Sequence, residues 1–274
     1  MKLSIHGIGL WGPGLTSVTD LDRAIRGAAP TDGSSMSYQP PKPEAIPARE
    51  RRRAGELINL AVETAHQACE QAGVDKRALP SVFASVLSDT AVTDYMCRKL
   101  SAPEKLLSPT KFHNSVHNAA SGYWSISAEN RAPSNYVCGF KESFGAGLLE
   151  ATSLALDTAE PVLFVSYDIA NAAPFRDFVP IEHSLAAAFV IGPGPTADRT
   201  AEANAATPCF ELTLNHPAEP ESDLRTAALA AWTPGHPGGS ALVLAEACRL
   251  PAADAAALTL RYTPNRSLIL NRLC

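Results

Sequence analysis

The side chains with the most chemical potential fall in one stretch, Ala132-Pro133-Ser134-Asn135-Tyr136-Val137-Cys138-Gly139-Phe140-Lys141-Glu142-Ser143-Phe144-Gly145-Ala146-Gly147. A short apolar run at 135–137 enters it, and an amphipathic stretch from Leu148 to Leu156 leaves it. Strand, tight turn and helix in that order present a side chain at a helix N-terminus, where free N–H groups and the helix dipole favour negative charge. The spacing places Lys141 at the apex and opens the helix at Ser143. A desolvated lysine there is a candidate base or Schiff-base nucleophile. Cys138 is a candidate thiol nucleophile, although three residues before the apex the strand is expected to be buried. Ser143 is a third candidate, but Gly139-Phe140-Lys141-Glu142-Ser143 does not read G-x-S-x-G. Spacing sets no general base beside any of them, so a structural turn with a salt-bridging lysine is the favoured reading.

Other motifs compete less well. Gly7-Ile8-Gly9-Leu10-Trp11-Gly12 matches G-x-G-x-x-G after a strand, yet Pro13-Gly14 delays the helix and Asp32 sits in a Pro/Ser loop. A glycine turn is therefore expected rather than a dinucleotide site. His113 and His117 would share a face at i, i+4 on a helix, but no acidic residue lies between them and no metal is expected. Arg49, Arg51, Arg52 and Arg53 form a basic cluster that reads as a solvated helix edge, or as a contact for an acidic protein or phosphate. The six cysteines form no C-x-x-C pair and read as buried small hydrophobes.

These residues need elements to hold them. Strands are expected at 3–9, 81–87, 135–137, 161–167, 184–191 and 210–214, with an edge hairpin from 258–262 and 267–270. Helices are expected at 17–26, 49–72, 90–100, within 108–127, at 144–158, 223–232 and 239–248. Gly73 ends the second of these helices. Residues 27–48 and 192–208 read as loops. Strands alternating with helices predict an α/β layered fold. The 274 residues carry a net charge of −5, which disfavours a nucleic-acid partner. No apolar run reaches a membrane-spanning length, and Met1–His6 enters a strand without a signal-peptide core, so the expected location is the cytoplasm.

Taken in order, the pieces resemble the N-terminal half of β-ketoacyl synthases of the thiolase superfamily. Ile5–Gly14 is similar to that family's first strand and glycine turn. Arg53–Gly73 is similar to its first long helix. Ala132-Pro133-Ser134 is similar to the Gly-Pro-Ser that precedes its nucleophile elbow. Counting from Pro133, the family's cysteine falls at Lys141, and Ser143 takes the place of the serine that follows it. Ser108-Pro109-Thr110-Lys111-Phe112-His113-Asn114-Ser115-Val116-His117-Asn118-Ala119-Ala120-Ser121-Gly122-Tyr123-Trp124 resembles a branch of short ketosynthase-like proteins. Some of these accompany aryl-polyene or polyketide-type pigment synthases as chain-length factors.

The resemblance implies a layered thiolase-like half-fold, a mixed sheet flanked by helices and truncated before the second repeat. Residues 1–192 would form the ketosynthase-like half, and 193–274 a C-terminal extension packed on the same domain. Lysine cannot form the acyl thioester of a condensing enzyme. The family's His-Gly-Thr-Gly-Thr and Asn-x-x-Phe-Gly motifs are absent, and His216 and His236 lie in Asn-His-Pro and Gly-His-Pro contexts. The implied function is a non-catalytic chain-length factor paired with a full-length β-ketoacyl synthase and served by an acyl carrier protein, with no cofactor. Phe112, His113, Asn114, His117, Asn118, Tyr123, Trp124, Phe140 and Phe144 would line the partner interface or the acyl tunnel. The alternatives are a stand-alone acyltransferase or decarboxylase using Lys141, Cys138 or Ser143, and a homodimeric acyl-binding scaffold.

Overall fold

The first strand, β1 (Lys2–Trp11), is laid directly on a helix, α3 (Glu56–Ala72). Its glycines make this possible. A Cβ at Gly7 would stand 2.2 Å from the Ala68 carbonyl oxygen, and one at Gly9 would stand 2.0 Å from that of Thr64. Gly7 and Gly9 of the Gly7–Gly12 motif thus serve strand–helix packing. In the computed structural model, which describes residues 1–27, 37–195, 207–215, 217, 219–230, 233–254 and 256–274, β1 lies within an eight-stranded mixed sheet. The other strands are β2 (Ser81–Ala84), β3 (Ser134–Val137), β4 (Val162–Asp168), β5 (Leu185–Pro193), β6 (Cys209–Asn215), β7 (Leu258–Thr263) and β8 (Arg266–Arg272). Their order is β3-β2-β4-β5-β1-β6-β8-β7. β2 runs parallel to β3 and β4, and every other pairing is antiparallel.

The central strands β4 and β5 are buried almost throughout, as their unbroken apolar runs require of a sheet covered on both faces. On one face, α3 packs with α6 (Ala119–Ala128) against Phe83, Leu163, Val165 and Tyr167. His66 of α3 meets the Trp124 ring edge-on at 4.9 Å, with its ring nitrogens 3.1 Å from Lys76 Nζ and from Ser127 Oγ. On the other face lie α7 (Ser143–Thr158), α1 (Val18–Ile25) and α9 (Gly239–Arg249). Phe144, Phe164 and Phe189 form an aromatic cluster there, with centroids 5.4–6.3 Å apart.

Helix α7 is gripped from both sides. A Cβ at Gly147 would fall 2.6 Å from the Phe164 ring and 2.9 Å from Ala84 Cβ. A Cβ at Gly145 would fall 1.9 Å from the Arg261 carbonyl oxygen of β7. The sheet therefore curls until its far hairpin closes over the helix that its central strands already support. Leu258, Leu260, Leu268 and Leu270 share one core with Phe144, Leu148, Ala151 and Ala155.

Several elements differ from the sequence reading. The helix expected over 49–72 is interrupted. A single turn, α2 (Ala48–Arg51), is followed by a break at 52–55, where Gly55 is extended (ψ 176°) and caps α3. Asn114 Nδ2 donates to the Arg53 carbonyl within this break, at 2.7 Å. The segment 108–127 holds two helices, α5 (Pro109–His113) and α6, so His113 and His117 do not share one helix. Strand β2 stops at Ala84, before Ser88 turns with a left-handed φ of 57°. The helix expected over 223–232 shrinks to α8 (Ala227–Ala230), and residues 231–232 lie outside the described set. Ahead of that helix, the buried Glu246 carboxylate accepts from the N–H groups of Arg225 and Thr226 and ties this stretch of chain to α9. Asp32 and His216 also lie outside the described residues.

Gly145→Ala weighs two effects against each other. Alanine gains up to about 1 kcal/mol in helix propensity, while displacing a backbone carbonyl from a packed contact costs about 1–3 kcal/mol. The rigid backbone contact makes the second effect larger, so the expected result is a lower urea midpoint and a net loss of about 1–2 kcal/mol. An unchanged or raised midpoint would contradict the closure of β7 over α7.

Candidate functional site

The outermost strand on one side of the sheet is β3, which among the described residues pairs with β2 only. It leads into the turn at Cys138 and Gly139, then into one 3-10 turn at Phe140–Glu142, and then into α7. The residue in the left-handed region is Phe140 (φ 56°), one place before the expected apex Lys141. A non-glycine residue costs on the order of 1 kcal/mol in this conformation, so the surroundings must hold it. Phe140 is 46% exposed. Lys141 is exposed too, and among the described residues no carboxylate pairs with it, unlike the salt-bridging lysine expected.

Ser143 is buried and engaged. Its Oγ accepts from Gly139 N–H at 3.0 Å and lies 2.6 Å from the Phe140 carbonyl and 3.2 Å from that of Ser85. Its proton is directed at carbonyl oxygens, so the hydroxyl buckles the turn and is poorly placed as a nucleophile. Cys138 is exposed, contrary to the burial expected of it, because β3 is an edge strand; its thiol donates to the Val86 carbonyl at 3.2 Å.

A carboxyl group lies beneath this turn that the sequence reading did not single out. Asp168, at the end of β4, is buried; its Oδ1 accepts from Ser85 Oγ and Val86 N–H, both at 2.8 Å. Ser85 Oγ in turn accepts from Ser88 N–H at 3.0 Å. The Ser85 carbonyl receives the Tyr136 and Ser143 hydroxyls. Burial raises the Asp168 carboxyl to about 7, against the pull of its two hydrogen bonds. A polar residue closing an otherwise apolar strand run was the available signal.

The structure divides the residues expected at an interface. Phe112 (60% exposed), His113, Val116, His117 and Asn118 lie at the surface on and after α5. The His117 ring stacks on Tyr136 of β3 at 5.2 Å, which fixes this segment beside the open edge. Asn114 is half-buried on the Arg53 carbonyl. Tyr123, Trp124 and Phe144 belong to the chain's own core, and their side chains face inward here, not toward a partner. His113 reaches the same layer through an edge-on contact with Tyr123 at 6.3 Å. His236 is remote in role: it accepts from Gly238 N–H and bonds the His183 carbonyl, a local turn.

Ser143→Ala is expected to cost about 1–2 kcal/mol through the lost turn contacts, and Lys141→Ala no more than about 0.5 kcal/mol; denaturant unfolding that reverses this ranking would contradict the assignment. The pH dependence separates two buried groups. Burial, with a smaller effect from the Lys76 ammonium, lowers His66 from 6.5 to about 4. Stability from its neutral ring is complete above pH 6.5 and is lost as pH falls toward 4. Asp168 acts in the opposite sense: its neutral form is favoured in the fold, and that contribution is lost as pH rises from 3.8 to about 7. Removing it in Asp168→Asn should therefore make stability rise more steeply between pH 4 and 6.5 than in the parent. Parallel curves would contradict the buried placement of this carboxyl.

The beta-ketoacyl synthase N-terminal domain profile matches residues 28–235, about three quarters of the chain. No curated protein matches by sequence. Among solved structures, a chain of the ketosynthase ApeO in complex with its chain length factor ApeC from Xenorhabdus doucetiae superposes with a TM-score of 0.70 at 18% identity. The match covers 99% of this chain and 100% of that one. The AntDE:AntF complex, a type II PKS acyl-carrier protein with its ketosynthase bound to the hexaketide, gives 0.71 at 10% identity, over 99% and 98% of the two chains. The module 6 ketosynthase of the bacillaene synthase from Bacillus subtilis 168 gives 0.56 at 13%, covering 84% of this chain and 44% of that one. At these identities the likeness concerns the fold, a thiolase-like half-fold of ketosynthase type. Together with the matched profile, it establishes that the chain belongs to the beta-ketoacyl synthase N-terminal domain family.

Proposed function

We propose that this chain is a non-catalytic ketosynthase-like subunit that pairs with a full-length β-ketoacyl synthase and shapes that partner's acyl tunnel. The observation that carries the reading is the state of β3. The strand that enters the elbow is the outermost strand, with one edge unpaired among the described residues and with exposed Phe112, Val116 and Phe140 on the segments around it. An open edge flanked by apolar side chains is a surface made for strand pairing with another subunit. The turn itself supports the same reading. Where a condensing enzyme needs a thiolate with a base, this turn offers a lysine with no carboxylate partner among the described residues, a serine held on carbonyls and a thiol bonded to Val86.

In this reading Phe112 is the side chain that restricts product length, with Tyr123 and Trp124 as the rigid layer behind α5. The complex elongates acyl chains delivered on an acyl carrier protein, in the cytoplasm, in an aryl-polyene or related polyketide pathway. The fold shared with chains of the ApeO–ApeC and AntDE:AntF complexes supports a ketosynthase-like partner subunit.

The test is co-expression with the β-ketoacyl synthase of the same genome. A one-to-one complex should co-purify, and Phe112→Asp together with Val116→Asp should abolish it while the isolated chain stays folded. In the reconstituted complex, Phe112→Ala should lengthen the product by at least one extension unit, since each newly accommodated methylene is worth on the order of 1 kcal/mol. Lys141→Ala should leave turnover unchanged. An isolated chain that consumes acyl or malonyl thioesters, with that activity lost in Lys141→Ala, would establish the stand-alone enzyme instead. A stable self-dimer indifferent to the synthase would establish the scaffold.

A further inference from the structure

The hydrogen bonds behind the elbow form one connected path. It starts at Asp168 Oδ1, which holds Ser85 Oγ and Val86 N–H. From Ser85 it divides. The hydroxyl oxygen fixes Ser88 N–H, in a turn whose Ser88 is left-handed, and the carbonyl takes the Tyr136 hydroxyl at 3.4 Å and the Ser143 hydroxyl at 3.2 Å. Ser143 then fixes Gly139 N–H, beside left-handed Phe140. Val86 adds a second link by accepting from the Cys138 thiol. Tyr136 carries the path to the surface, where His117 stacks on it. Both left-handed residues, each unfavourable alone, lie at the ends of bonds that trace back to one carboxylate.

We propose that Asp168 is the positioning residue of the partner-facing surface, its charge tightening the Ser85–Ser88 turn and, through Ser85 and Ser143, the elbow and the edge strand. The proposal rests on the reading of β3 as the pairing edge. Hydrogen bonds to an ionised carboxylate are about twice as strong as those to a neutral one, so loss of the charge slackens both turns. The groups that face Asp168 itself leave its own charge as the variable there; His117, at the surface end of the path, is a second ionisable group, and Asp168→Asn separates the two. Tyr136 from β3 and Tyr167 from β4 are raised by burial and stay neutral. The Cys138 thiol points at Val86. Asp89 caps its own helix, α4 (Thr90–Ser101), by accepting from Val92 N–H. In the loop after β4, the Arg176 guanidinium is engaged on the Asn171 carbonyl. β5 presents Leu185 opposite Asp168, and α7 presents Ser143, neither of them charged. The Asp168 carboxyl, raised to about 7 by burial, changes charge near neutral pH.

The experiment is a pH titration of backbone amide resonances in the isolated chain from pH 5.5 to 8.5. Val86, Ser88 and Gly139 should shift with one shared midpoint near pH 7, and Asp168→Asn should abolish all three movements. Ser85→Ala, which removes only the hydroxyl, should leave Val86 titrating and silence Ser88. Amides that stay still, that titrate with different midpoints or that still move in Asp168→Asn would overturn the proposal, as would a silent Gly139. Association with the synthase should strengthen about threefold or more from pH 6 to 8 in the parent and stay flat in Asp168→Asn. Absence of a complex at every pH would count against the proposed function, while the amide titration would still decide the role of Asp168.

Discussion

The fold depends on one constraint: helix α7 must be approached closely from two sides at once. Gly147 lets the Phe164 ring and Ala84 reach the helix, and Gly145 lets the β7 backbone do the same. Neither contact leaves room for a methyl group. Because the helix is this thin, one sheet can support it from below and still curl far enough for the β7–β8 hairpin to cover it from above. Interiors packed at this density transmit displacement instead of absorbing it. The elbow at the N-terminus of α7 therefore inherits its position from both halves of the sheet.

The same constraint sets the two edges of the sheet apart. The β7 side of the sheet is folded back on α7 and shares its core, whereas the β3 side is open among the described residues. Short strands and bulky cover commonly protect such an edge in a monomer. Here the edge is short, but the segment beside it exposes Phe112 and Val116 instead of covering it. Chemistry at the turn is correspondingly weak: its polar groups are spent on the Ser85 and Phe140 carbonyls, and its one exposed cation has no partner among the described residues. A turn strained at Phe140, with its polar groups engaged on backbone carbonyls, is consistent with the proposed subunit that supplies shape to another active site.

Much of this was legible in the sequence. Strand–turn–helix punctuation around 135–158, the glycine cap at Gly73 and the edge hairpin of 258–262 and 267–270 were readable because local propensity and tertiary structure agree there. The helix expected over 49–72 was misread at 52–55 because Asn114, distant in sequence, holds the break. The helix expected over 223–232 is shorter, and Glu246, also distant, holds the Arg225 and Thr226 N–H groups ahead of it. At the site, the turn was located but not its details. Exposure of Cys138 follows from β3 being outermost, which strand order alone decides. Inward-facing Tyr123 and Trp124 follow from which side of α6 meets α3, and α6 is apolar on both sides. Asp168 was missed because a single carboxylate at a strand end becomes notable only when its partners, Ser85 and Val86, are brought to it by parallel pairing of β2 and β4.

The most direct measurement is backbone hydrogen exchange of residues 134–137, in the isolated chain and in the presence of the full-length β-ketoacyl synthase. Fast exchange is expected in the outward-facing amides of β3 alone and strong protection in the mixture, with residues 109–118 protected in parallel. Unchanged exchange in β3 when the two proteins are mixed at saturating concentration would contradict the proposed function.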